Sequence, residues 1–400
     1  MRKTLLIISL IALGLFFISV MRSGNNLKTQ RTSQENETQT DDGGINADAA
    51  DQERDALAQE FQLQKPLVDK VVEDIGRGIS KDDFNTGDAR FDGEWVLGSY
   101  QMAALGLGQF IQAYPEFRDE YLPVIEQCAE RLVAAETNAF GTEAWGEEGL
   151  SSLGSDNGHA YLGYTNLALS MLRLHDEDNE FVEINDQLTA ALVRRLELSP
   201  QGVLETYPDE AYPADIAAAI ASIGLYAQAT GRDYENFLTE STLQFQQNFV
   251  DPQTGLVFQA VEASSGNPVD EPRSSGTALS AYFFSFIDPE LSKALFLSVA
   301  TEQRVQIFGF AGIREYPEGL TGEGDIGSGT LVQGVSPSAT AFTIGAARIH
   351  GEQALYQELY RTVDFFGTSL LGEMNGVSLL ESPLGNATLL AMLTAQEIDK

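Results

Sequence analysis

The sequence predicts an all-α fold: an (α/α)6 toroid of six inner and six outer helices, with small β hairpins in its loops and an N-terminal membrane anchor before it. Three observations predict it. Seven stretches of fourteen residues or more contain no Asp, Glu, Lys or Arg: Thr4–Met21, Trp95–Pro115, Asn157–Leu172, Ile216–Gly231, Ser274–Ile287, Ile326–Ala347 and Ser382–Gln396. A charged residue stands directly before each of the last six, namely Glu94, Asp156, Asp215, Arg273, Asp325 and Glu381. With Glu271 taken beside Arg273, the acids recur roughly every 54 to 62 residues, which is the period of a repeat architecture. Between the uncharged runs lie charged segments with helical periodicity, so the chain alternates two kinds of helix.

The first run is read as a membrane address. Arg2 and Lys3 precede it, and at 1.5 Å per residue its length reaches about 27 Å, enough for one span. A cleaved signal peptide would have a shorter apolar region and a small-x-small site, whereas this run ends in Phe-Ile-Ser-Val-Met before Arg22. An uncleaved signal anchor over residues 1–22 is therefore expected, with the globular part outside the cytoplasm. Residues 23–53 are polar and carry few apolar side chains, so they read as a disordered tether. The domain proper is expected over residues 54–400.

Within that domain, Asp178–Leu198 sets Ile184, Leu188, Leu192 and Leu196 four apart on one stripe with charges opposite, the pattern of an outer helix. Pro115–Glu136, Tyr234–Phe249, Pro289–Gln303 and Gln353–Leu371 are similar, and so is Arg54–Ile75, which Pro66 is expected to kink or split. Ile216–Gly231 is apolar or small on every side, as a helix buried all round should be. A helical solenoid is the alternative, but its repeats run shorter and its connections are tighter. Here Gly- and Pro-rich inserts such as Ala263–Ser274 and Glu315–Ser338 are long, and function concentrates in loops of that kind. Gly255–Val261, Ile307–Ile313 and Gly376–Leu380 are the expected hairpin segments.

Composition narrows the partners. A net charge of −35 argues against nucleic acid and anionic membrane surfaces, because both reward clustered Lys and Arg. It suits a neutral or cationic ligand. The single cysteine, Cys128, falls on a predicted amphipathic helix and reads as a buried thiol. With one cysteine and three scattered histidines, neither a Cys-based zinc site nor a His-x-x-x-His pair exists, and no metal or cofactor is expected.

The inner helices of a toroid run parallel, so their N-termini gather around one funnel. An acid at a helix N-terminus is most simply a cap, and for any one of Asp156, Asp215 or Glu381 that is the first reading. As a set, the loops FDGEW, LGSDNGHAYLGY, LETYPDEAYPAD, DEPRSSG and GIREYPEGLTGEGDIGSG mix carboxylates with aromatic rings. Aromatic faces stack on sugar rings and carboxylates bond their hydroxyls, which is the composition of a glycan cleft. Two carboxylates are also what glycoside hydrolysis needs. The candidate catalytic residues are Asp325, Asp215, Glu94 and Asp156. Asp325 leads because glycines at 322, 324, 327 and 329 let backbone fold closely around it. Trp95, His159, Tyr161, Tyr207, Arg273 and Tyr316 are the candidate substrate-binding residues.

Tyr212–Gly231 (YPADIAAAIASIGLYAQATG) and Gly324–Gly351 (GDIGSGTLVQGVSPSATAFTIGAARIHG) resemble the bacterial (α/α)6 proteins grouped around linalool dehydratase-isomerase, and more loosely the six-hairpin glycosidases. The resemblance implies a toroid and an acid-rich funnel. The cysteines of the dehydratase chemistry do not carry over, since Cys128 is on a predicted outer helix. The expectation is an anchored enzyme acting on a small-molecule or oligosaccharide substrate, first a glycoside hydrolase. The alternatives are a dehydratase or isomerase acting on a small alcohol or terpenoid, and a glycan-binding envelope protein without catalysis.

Overall fold

The computed structural model describes residues 45–156, 158–307, 309–367 and 382–398. The chain divides into two compact units, Met1–Gln59 and Glu60–Lys400. The expected anchor Thr4–Met21 lies outside the described residues, as do Glu381 and the expected strand Gly376–Leu380. Among the described residues no helix is long and apolar enough to cross a membrane.

The described chain is mostly helical, with small antiparallel sheets. Helix α1 (Ile45–Arg77) begins inside the segment expected to be a disordered tether, so residues 45–53 are helical. It also continues through Pro66. Burial on both sides of the proline accounts for this. Gln64 donates its Nε2 to the Leu393 carbonyl at 2.8 Å, and Val68, Val71 and Ile75 are buried.

Six helices built on the uncharged runs follow, called the uncharged helices although Arg90, Asp92, Glu94, Arg173, Asp215 and Arg348 stand near their ends: α2 (Ala89–Ala113), α5 (Leu162–His175), α7 (Pro213–Thr230), α9 (Ser274–Phe284), α11 (Pro337–Ile349) and α13 (Pro383–Leu393). Each packs on the next in this order, and α13 packs on α2. The charged helices alternate with them: α3 (Arg118–Val133), α6 (Val182–Leu198), α8 (Glu235–Phe249), α10 (Pro289–Glu302) and α12 (Gln353–Gly367). Helix α3 packs on α2 and α5, α6 on α5 and α7, and α10 on α9 and α11. A short α4 (Ala139–Trp145) leans on α2.

Small residues set the approach between uncharged helices. A Cβ on Gly163 of α5 would stand 2.6 Å from the Ala219 backbone of α7, and one on Gly106 of α2 would stand 2.9 Å from the Ala391 amide of α13. Gly98 faces Leu384 where Gly106 faces Ala391, so α2 and α13 run parallel. Gly276 near the start of α9 approaches Ala214 near the start of α7, which puts those two N-termini side by side. Deeper in, the Tyr282 hydroxyl of α9 donates to Gln109 Oε1 of α2 at 3.2 Å. A buried polar chain ties α5, α6 and α7: Asn166 donates to Thr189 and Ser222 at 3.0 Å each, and Asn185 donates to Asn166 at 2.8 Å.

The sheets lie in the connections. Strand β1 (Val257–Phe258) pairs with β2 (Pro272–Arg273), with Val257 opposite Arg273. Strands β3 (Arg304–Ile307), β4 (Phe310–Arg314) and β5 (Val335–Ser336) form an antiparallel sheet in that order. Bridges from Ala211 to Val261 and from Val261 to Pro268 link the loop before α7 to the loop before α9.

Candidate active site

Two carboxylates meet where α2, α5 and α7 begin. Glu94 lies in the second turn of α2, and Asp215 is the third residue of α7, directly after Pro213-Ala214. Neither caps its helix. Helix α2 is capped by Asp88, which accepts from the Arg90 amide at 2.8 Å, while α7 has no side-chain cap. The Asp215 carboxylate accepts from the Tyr164 hydroxyl at 2.7 Å and the Thr206 hydroxyl at 2.6 Å. Glu94 accepts from the Tyr207 hydroxyl.

The loop Leu204–Tyr212 supplies Thr206 and Tyr207. A bridge from Tyr207 to Glu210, with Asp209 at φ 66°, turns it back on itself. Arg90 spreads its guanidinium 4.7 Å over the Tyr207 ring and reaches Glu210 at 3.4 Å, and Tyr212 donates to Glu210 at 2.8 Å. Beneath, the Tyr164 ring meets Phe283 of α9 edge-on at 5.8 Å.

Both carboxylates are packed among neighbours yet keep some accessible surface. Burial pushes Glu94 up to about 7; the negative charge of Asp215 adds to this, and the Tyr207 hydrogen bond opposes it. Burial also raises Asp215, against the pull of two hydroxyl donors, Thr206 and Tyr164. Desolvation and the neighbouring carboxylates hold Tyr164 and Tyr207 far above the ordinary tyrosine value, so both hydroxyls stay protonated and donate. Near neutral pH, Glu94 is thus poised to give a proton. Asp215 is held by two hydroxyl donors, Thr206 and Tyr164, which oppose the upward push of burial.

The other residues singled out by sequence are distributed elsewhere. Asp325 accepts from its own loop, from the Ser328 amide at 2.8 Å, and pairs with Arg273. Arg273 also holds Asp270 at 2.6 Å and lies 5.4 Å over the Tyr316 ring, so these four residues clamp the loops before α9 and α11 together. The glycines around Asp325 serve that turn: Gly324 and Gly329 take φ of 76° and 72°. Asp156 is exposed and pairs with Arg194 at 3.3 Å. His159 is fully buried and stacks on Trp145 at 4.4 Å. Tyr161 packs against Phe140 and His159 within the core. Trp95 is half-buried with its ring edge-on to Phe84 at 5.5 Å. Of the ten candidates, the structure brings together Glu94, Asp215 and Tyr207, with Tyr161 stacked 6.5 Å from the Tyr207 ring and His159 behind it, and separately Arg273, Asp325 and Tyr316.

Three buried polar groups are not singled out by the sequence. Thr206 gave no signal, because its role depends on the path of the loop. Gln101 lies seven residues after Glu94, on the same face of α2, and is fully buried with neither amide atom meeting a partner among the described residues. Gln101 is one of three glutamines in the run Trp95–Pro115, with Gln109 and Gln112, so sequence alone does not single it out. Glu315 is fully buried after β4; it accepts from the Ser275 hydroxyl at 2.5 Å, and burial raises its pKa. Cys128 is buried on α3, where desolvation raises its thiol and keeps it inert. Among the described residues no three His, Cys, Asp or Glu side chains converge as a metal site. No protein-family model matches the chain, and no curated protein matches it.

Proposed function

We propose that the chain is a membrane-anchored, extracytoplasmic (α/α)6 enzyme that cleaves a C–O bond by acid–base catalysis, first of all a glycoside hydrolase. The cyclic packing order of the six uncharged helices supports the toroid, and the run Thr4–Met21 behind Arg2 and Lys3 supports the anchor. The observation that carries the function is the Glu94–Asp215 pair. One member titrates near neutrality because of burial, the other is held by two hydroxyls, and both keep some accessible surface.

In this reading Glu94 is the general acid. Its proton passes to the glycosidic oxygen as the bond to the anomeric carbon breaks. Asp215 takes a proton from the water whose oxygen joins that carbon. Tyr164 and Thr206 hold the Asp215 carboxylate in one orientation, and Tyr207 does the same for Glu94. The unpaired Gln101 amide is closed off in this structure; where its neighbours part for a ligand, a substrate hydroxyl that meets it would relieve the cost of about 1–3 kcal/mol that a buried amide without a partner carries.

A screen of the full-length chain on neutral oligosaccharides and alkyl glycosides tests the assignment. Glu94→Gln and Asp215→Asn should each lower kcat by about two orders of magnitude or more while leaving the melting temperature close to wild type. Full activity in both variants would sink it.

A second reading is favoured by the apolar contact of Tyr164 with Phe283: dehydration of a small alcohol or terpenoid. Glu94 would protonate the departing hydroxyl, and Asp215 would take a proton from the neighbouring carbon, leaving an alkene and water. Product identity separates the two. Saturable oligosaccharide binding without any product would instead favour a non-catalytic envelope protein.

A further inference from the structure

The recess that holds Glu94 and Asp215 has two unlike walls. On α2, α5 and α7 it presents carboxylates and tyrosine hydroxyls. The helices opposite present hydrocarbon. Leu279 of α9 sits one turn before Tyr282, whose hydroxyl crosses to Gln109 of α2, so Leu279 is on the face that α9 turns toward α2. Phe342 of α11 sits one turn before Gly345, where a Cβ would stand 3.4 Å from the Tyr282 ring. Leu384 of α13 would stand 3.2 Å from a Cβ on Gly98, one turn after Glu94.

All three keep accessible surface on helices that are mostly buried. Helix α10 packs on α9 and α11, and α12 on α11, while the one-turn relation of Leu279 to Tyr282 and of Phe342 to Gly345 sets both on the side that faces Tyr282 and α2. Hydrocarbon left wet costs free energy in proportion to its area, and a ligand that covers it recovers that cost. A sugar would cover it poorly. Its rim of hydroxyls would meet two leucines and a phenylalanine, none of which accepts a hydrogen bond, and desolvated hydroxyls without partners are penalised.

We infer that this wall seats an apolar aglycone: the substrate is a glycoside of an alkyl or aryl alcohol, with its sugar on the Glu94, Asp215 and Gln101 side. For turnover, this rests on the acid–base reading of Glu94 and Asp215; for binding, it does not. The reaction balances as a hydrolysis. The C–O bond between the anomeric carbon and the aglycone oxygen breaks, water oxygen bonds to that carbon, the Glu94 proton ends on the aglycone oxygen, and a water proton passes to Asp215. The products are a free sugar and an apolar alcohol.

The experiment has two arms, both on the full-length chain. In the first, kcat/KM is measured for methyl, butyl and octyl glycosides of one sugar. It should rise roughly threefold with each methylene until the wall is covered. In Leu279→Asn the octyl-to-methyl ratio should fall about tenfold, and Phe342→Ser serves as a second variant should the first fail to fold. A ratio independent of chain length, or unchanged in the variants, overturns the inference while leaving the acid–base reading standing. The second arm is a calorimetric titration with n-hexanol. Saturable binding that weakens in Leu279→Asn supports the apolar wall even if no glycoside is turned over, and in that case the acid–base reading is what fails. An absence of saturable binding overturns the wall.

Discussion

Glu94 carries an opposition between fold and charge. Its ordinary value is 4.5, and in the folded chain burial raises it to about 7. The fold therefore favours the protonated form. The stabilisation from this group is fully present below about pH 4.5 and is lost as pH rises through about 7. Asp215, also raised, acts with the same sign. Unfolding by denaturant should show the wild type losing on the order of 2 kcal/mol between about pH 5 and about pH 8 from this carboxylate, a loss that Glu94→Gln avoids. The same titration sets catalysis, so kcat/KM should fall above about pH 7 as the acid loses its proton. Gln101 makes the complementary case. Gln101→Leu removes an unpaired buried amide, so it should raise stability by about 1–2 kcal/mol while lowering kcat/KM. A thermal melt beside a kinetic assay would register both effects. A variant that lost stability as well as activity would mean that the amide serves the fold.

At the scale of elements, helix spacing is set by glycines that tolerate nothing larger. Gly163→Ala would drive a methyl to 2.6 Å from the Ala219 backbone, and backbone yields less readily than a side chain. A loss of about 2–3 kcal/mol in denaturant unfolding is expected, with α5 and α7 forced apart. Gly154→Ala is the control, because nothing lies within 4 Å of its added methyl. The uncharged helices were the legible part of the sequence, since absence of charge over several turns leaves a segment nowhere to go but inside. Their ends were less legible. The run Ile326–Ala347 becomes helix only at Pro337, because Gly329, Gln333 and Gly334 take positive φ and spend the first part of the run as loop. Pro66 is expected to kink or split the first helix; the helix is not split, because burial on either side outweighs the missing amide. Within the site, Glu94 and Asp215 could be picked out as acids ahead of buried runs, whereas Asp325, the most glycine-crowded, is held in its own turn and by Arg273. Glycine density registers a tight turn; it does not distinguish a turn that serves chemistry from one that serves itself.

Across the whole molecule, charge opposes compactness. A net charge of −35 repels itself in the folded state more than in an expanded chain. Raising NaCl from about 0.05 M to about 0.5 M should therefore raise Tm, because screening weakens that repulsion. A Tm that fell with salt would mean that ion pairs such as Arg348 with Glu60, at 2.7 Å, outweigh it. One internal contact bears on how substrate can travel. Tyr282 reaches Gln109 across the buried ends of α9 and α2, below the carboxylates, and both side chains are fully buried. If Glu94 and Asp215 act as proposed, a molecule that reaches them from the side where the helices begin meets this contact as a floor and would leave by the door it entered. A polymer would then not be threaded past the stop and cut in its middle. It would be presented tip first, one terminal unit at a time, with each product backing out before the next arrives.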